Sequence, residues 1–93
     1  MTEHTPGPWI RYGLQVEATP SGHRYDIAYI ASWSPYLTPE LTNANGNLIA
    51  AAPDLLEACE EMLQQLNAEG LDRMPAAIHA RAAIAKAKGE VQP

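Results

Sequence analysis

Ninety-three residues set the scale of one domain, and a net charge of −5 with only six Lys and Arg argues against ordinary duplex-DNA binding, which needs clustered cations against phosphate. The hydrophobic fraction of 46% includes 16 alanines, which bury little area, so a chain this small is expected to oligomerise rather than rely on its own core. A single cysteine, Cys59, closes no internal disulfide. The amino terminus lacks the basic start and apolar run of a signal peptide, and no apolar run approaches the roughly 20 residues of a membrane span, so a soluble cytoplasmic protein is expected.

Residues 1–8 contain Thr5-Pro6-Gly7-Pro8 and read as an extended arm. From Trp9 to Ala18 the chain alternates: Ile10, Tyr12, Leu14, Val16 and Ala18 face one way, Arg11, Gln15 and Glu17 the other. Gly13 marks a bulge or bend in that strand. Thr19-Pro20-Ser21-Gly22 has the chemistry of a turn, and Arg24 to Ser32 alternates again, with Tyr25, Ile27, Tyr29 and Ala31 on one face. Residues 9–32 are therefore expected to form a β-hairpin. Residues 33–42, with Pro35 and Pro39, read as a loop that has room for a short third strand near Tyr36–Leu37.

The segment 43–69 reads as a helix. Leu48 and Ile49, Leu55 and Leu56, and Met62 and Leu63 are apolar doublets spaced by seven, and Ala52, Cys59 and Leu66 form a third track. Thr42 or Asn43 is the expected cap, with a frayed first turn because Asn43, Asn45, Gly46 and Asn47 are poor helix formers. Pro53 is expected to kink the helix or restart it at Asp54, and Gly70 closes it. A second helix is expected over 74–88, with Pro75 at its first position and Gly89 as its stop; residues 89–93 read as a loose tail. The order is ββαα, an α+β fold in which an antiparallel hairpin or small sheet packs on a C-terminal helical hairpin.

The stripe of Leu48, Leu55, Leu56, Met62 and Leu63 is the expected oligomer interface, and a homodimer is the simplest form. Charge is uneven along the chain. Residues 42–70 hold Asp54, Glu57, Glu60, Glu61 and Glu69 with no base, while 71–93 hold Arg73, Arg81, Lys86 and Lys88 against Asp72 and Glu90. An acidic helix beside a basic one is expected to pair with it. Glu57, Glu60 and Glu61 are the candidate partner-binding residues, although carboxylates at helical spacing are more often a plain solvated face. A second reading takes Arg11, Arg24 and Trp33 as a nucleotide clamp, since aromatics and arginine stack on bases. Most such aromatics simply supply bulk to a core.

No catalytic constellation is present. His4, His23, His79 and Cys59 lack metal-ligand spacing, Ser21, Ser32 and Ser34 stand in no G-x-S-x-G, and Asn45-Gly46-Asn47 has one glycine only. No metal, cofactor or enzyme activity is expected.

Thr5-Pro6-Gly7-Pro8-Trp9, followed by Asn43-Ala44-Asn45 and Leu48-Ile49-Ala50-Ala51-Ala52-Pro53-Asp54-Leu55-Leu56-Glu57-Ala58, resembles a group of small accessory proteins of tailed bacteriophages and prophages. The resemblance covers the arm and the front half of the first helix. It implies a phage or prophage gene expressed in the host bacterial cytoplasm, and it brings no catalytic residues with it. Two functions follow as expectations. One is a counter-defence inhibitor of anti-CRISPR type, which blocks a host defence complex by protein–protein contact. The other is an oligomeric sponge for a nucleotide defence signal. A phage regulatory or assembly factor is the remaining alternative.

Overall fold

The computed structural model describes residues 3–90. A three-stranded antiparallel sheet is followed by two helices: β1 (Ile10–Tyr12), β2 (Gln15–Ala18), β3 (Tyr25–Tyr29), α1 (Pro39–Ala68) and α2 (Pro75–Ala87), an α+β fold. The chain divides into two compact units, one ending at Asp54 and the other starting at Leu55.

In the first unit the expected single strand over Trp9–Ala18 is two strands. Gly13 has φ 61°, a left-handed value that glycine adopts without penalty, and it turns the chain through Gly13-Leu14 into a tight hairpin. Tyr12 then pairs with Gln15 and Arg11 with Val16. Cross-strand partners share a face, so the turn reverses the expected alternation. Arg11 lies on the face of Val16, which is fully buried, while Ile10 and Tyr12 share the outer face with Glu17 and Gln15. A second irregularity acts on β3. The pairing steps from Val16↔Ala28 to Glu17↔Asp26, so Ile27 is the extra residue of a bulge. Tyr25 and Tyr29, expected on one face, therefore stand on opposite ones.

The turn between β2 and β3 is the short 3-10 segment Pro20–Gly22, with Ser21 and Gly22 both at positive φ. Leu37 N–H bonds back to Ser34 C=O and Tyr36 N–H to Ser34 Oγ, so residues 34–37 are a turn and not a strand.

Helix α1 starts at Pro39, four residues before the expected position. Thr38 caps it: its Oγ1 accepts the N–H of Leu41, Pro39 fills the first turn where a missing N–H costs nothing, and Glu40 adds a favourable charge. Pro53 lies inside the helix, which ends at Ala68. Thr42 and Gly46 are its buried residues, so the first unit's core is Val16, Ala18 and Ile30 with this turn of α1.

In the second unit both helix stops are as expected. Gly70 takes φ 74° while Leu71 N–H reaches Leu66 C=O, and Gly89 takes φ 77° while Glu90 N–H reaches Ala85 C=O. Pro75 opens α2. Among the described residues of this unit, the buried hydrophobic one is Ala77. The expected pairing of acidic and basic helices is seen at Glu60, where Lys88 Nζ lies 2.8 Å from Glu60 Oε2.

Candidate partner-binding surfaces

Three candidate surfaces follow from the sequence, and each can be followed to its place. On α1, Glu57 and Glu61 are exposed, stand one turn apart and make no ion pair among the described residues. Glu60 differs from them. It is half-buried and engaged by Lys88, which ties α1 to α2 within the second unit. The acidic face open to a partner in the second unit is accordingly Glu57 and Glu61.

The apolar stripe is covered on one side only. Ile49, Leu56, Cys59, Leu63 and Leu66 are half-buried. Leu48, Leu55 and Met62, one per seven residues, remain 63%, 48% and 58% exposed.

Arg11, Arg24 and Trp33 have separate surroundings. Arg11 is half-buried and donates three hydrogen bonds, from Nε to Gly13 C=O at 2.8 Å, from Nη2 to Asn43 Oδ1 at 2.6 Å and from Nη1 to Asn47 Oδ1 at 3.3 Å. Arg24 sits between two carboxylates, with Nη2 3.2 Å from Asp26 Oδ1 and Nε 3.6 Å from Glu17 Oε2. Gln15 Nε2 also donates to Asp26 Oδ1. Trp33 is 86% exposed in the loop before α1.

The Arg11 contacts explain the Asn-rich turn of α1. Asn43 and Asn47 are four apart, so both carbonyls point from one face toward the guanidinium. Gly46 lies between them, and a Cβ there would stand 2.6 Å from Arg11 Nε and 2.7 Å from Ile30 Cδ1. Asn-Ala-Asn-Gly-Asn is thus a clasp for Arg11. Two asparagines one turn apart around a glycine are the signal for it, but they read as helix breakers when their strand partner is unknown. The arm is tied down as well. Trp9 Nε1 donates to Thr5 C=O at 2.9 Å, His4 meets the Trp9 ring edge-to-face at 6.0 Å, and a Cβ on Gly7 would lie 3.3 Å from Pro53 Cγ. Thr5–Trp9 and Pro53, taken from the two motifs behind the phage resemblance, thus meet within the first unit.

Those motifs fall inside a longer match. The family model described as Salmonella phage P22 protein Y8K6 matches residues 1–91. The chain belongs to that family. It is a phage-family protein with the α+β fold described above. No curated protein and no solved structure matches the chain.

Among the described residues no group of three or more His, Cys, Asp or Glu is placed to hold a metal ion. No helix among them is long and apolar enough to cross a membrane.

Proposed function

We propose that this phage-family protein is a non-enzymatic binding protein that docks on a basic protein surface through the acidic face of α1. The target class is a host defence complex that handles nucleic acid, so that the protein acts as a counter-defence inhibitor of anti-CRISPR type. The observation that carries the reading is the pair Glu57 and Glu61, exposed, four residues apart and without a cation among the described residues. Like charges at that spacing destabilise a helix by about 0.2–0.5 kcal/mol. A Lys- and Arg-rich partner relieves that repulsion and gains steered association from the long-range field. Glu60 takes no part, because Lys88 already neutralises it.

The sponge reading has less support. Both arginines it needs have partners within the chain, Arg11 on the α1 asparagines and Arg24 on Glu17 and Asp26.

The double variant Glu57→Lys/Glu61→Lys tests the proposal in a phage-protection or defence-inhibition assay. Activity is expected to be lost with an unchanged circular-dichroism spectrum, and binding to the target is expected to weaken steeply with salt. Full activity of the double variant overturns the proposal. Loss of activity on Trp33→Ala, with bound nucleotide seen by native mass spectrometry, favours the sponge.

A further inference from the structure

We infer that the outer face of the sheet binds a proline-rich segment of another protein, held in the polyproline II conformation and carrying a basic residue. The strand register builds that face. Tyr12 pairs with Gln15 and Gln15 with Tyr29, so the three form one row across β1, β2 and β3. Ile10, Glu17 and Asp26 form the row beside it, while Val16 and Ala18 are buried on the opposite face. Tyr12 is 60% exposed and Tyr29 72%. Neither side chain makes a hydrogen bond or ring contact among the described residues. Gln15 stands between them, so the two rings do not support each other.

The spacing of the rings selects the ligand. Neighbouring strands lie about 4.8 Å apart, so two strand spacings put the tyrosines about 9.6 Å apart. A polyproline II helix has three residues per turn and rises about 3.1 Å per residue, so positions i and i+3 lie about 9.3 Å apart on one side. A segment that crosses the strands seats one proline on Tyr12 and the proline three residues away on Tyr29. Its carbonyls have no partners of their own. The two phenol hydroxyls can donate to them, and so can the Gln15 N–H that is not given to Asp26. Such a segment is stiff before it binds and loses little entropy on an aromatic surface.

Charge separates this ligand from single-stranded nucleic acid, which also stacks on aromatic rows but needs cations along its backbone. The second row offers the carboxylates of Glu17 and Asp26, and Arg24 is held between them. Two acids against one base repel phosphate and attract a cation. Gln15 and Arg24 both reach Asp26 through Oδ1, which leaves Oδ2 without a partner among the described residues. An arginine next to the proline on Tyr29 complements that oxygen. The segment is foreign to this chain, because no two of its eight prolines are three residues apart.

Isothermal titration calorimetry of the full chain tests this, with synthetic Pro-x-x-Pro peptides that carry arginine before or after the motif. Saturable micromolar binding of one of them is expected. Tyr12→Ala and, separately, Tyr29→Ala are expected to weaken it about ten-fold or more with unchanged circular dichroism, since both residues are exposed, and Tyr12→Phe is expected to keep most of it. Replacing the peptide arginine with alanine is expected to weaken binding roughly two- to five-fold, and Asp26→Asn to remove that difference. Glu57→Lys/Glu61→Lys is expected to bind the peptide as the wild type does, which keeps this site apart from the proposed α1 face. Absence of saturable binding by both peptides, or binding that survives both Tyr12→Ala and Tyr29→Ala, overturns the inference. So does tight binding of oligothymidylate that Tyr12→Ala abolishes, which would assign the face to nucleic acid.

Discussion

Replacing Gly46 with alanine sets two opposing effects against each other. Glycine inside a helix is less favourable than alanine by about 0.8–1.0 kcal/mol, so propensity alone favours the substitution. The added methyl would meet Arg11 Nε at 2.6 Å, Ile30 Cδ1 at 2.7 Å and Arg11 Cδ at 2.8 Å. Real Cβ atoms do not approach this closely, so something must move. Arg11 is a flexible side chain, but its guanidinium is held by Gly13, Asn43 and Asn47. Ile30 is buried and has little room. Overpacking of this kind costs about 1–3 kcal/mol. Weakening the charged hydrogen bonds to Asn43 and Asn47 adds about 1–2 kcal/mol, at the low end of values for ionic donors because Arg11 is only half-buried. The steric and polar losses exceed the propensity gain, and the net effect is a destabilisation of about 1–4 kcal/mol. Each kcal/mol lowers Tm by about 4–8 °C in a domain of this size. Thermal melts followed by circular dichroism would measure it, with Arg11→Ala/Gly46→Ala as the companion variant. Removing Arg11 takes away two of the three clashes, so the alanine should cost at least about 0.5 kcal/mol less in that background. A Gly46→Ala protein that melts at or above the wild type would refute the reasoning.

Four further outcomes are expected. Asn43→Ala should destabilise by about 1 kcal/mol and Asn47→Ala by less, because the 2.6 Å bond to Arg11 is lost in the first and the 3.3 Å bond in the second; urea melts would rank them. Trp9→Phe keeps an aromatic ring but removes the donor to Thr5 C=O, so a loss of about 0.5–1.5 kcal/mol is expected from the hydrogen bond, with faster proteolysis of the arm. Leu56→Ala should cost about 2 kcal/mol, the low end for buried leucine because the residue is half-buried; a melting temperature equal to wild type would show that this side of the stripe is not packed. Glu60→Gln should cost only about 0.2–1 kcal/mol and should fade in high salt, since both partners of the Lys88 pair remain about a third exposed.

What could be read from the sequence divides by the range of the interaction that decides it. Gly70, Gly89 and Pro75 act through their own backbone, and the helix ends they mark came out where expected. The Gly13 turn is local too. However, Ile10, Tyr12 and Leu14 are all apolar, so the alternation runs on past the reversal and hides it. The Ile27 bulge leaves no trace, because Ala28 and Ile30 make both faces of that segment apolar. Thr38-Pro39-Glu40 is a good helix start that was masked by the asparagines after it, whose helical conformation depends on Arg11 from a distant strand. The acidic face was legible in outline from composition and spacing. That Glu60 belongs to Lys88 was not, because the pairing partner is chosen by how far α2 slides along α1.

The contacts that close the Arg11 clasp span 32 and 36 residues. The strand pairings of the first unit are near in sequence: a two-residue turn and a short second turn join them. Local structure forms early and long loops close late, because closing them loses chain entropy before any contact is gained. The clasp is therefore expected to form after the folding barrier. Asn43→Ala would then act as a latch removed from a shut door: it would speed unfolding and leave the folding rate nearly unchanged, so the protein's residence time in the native state, and with it its resistance to host proteases, rests on two asparagine side chains.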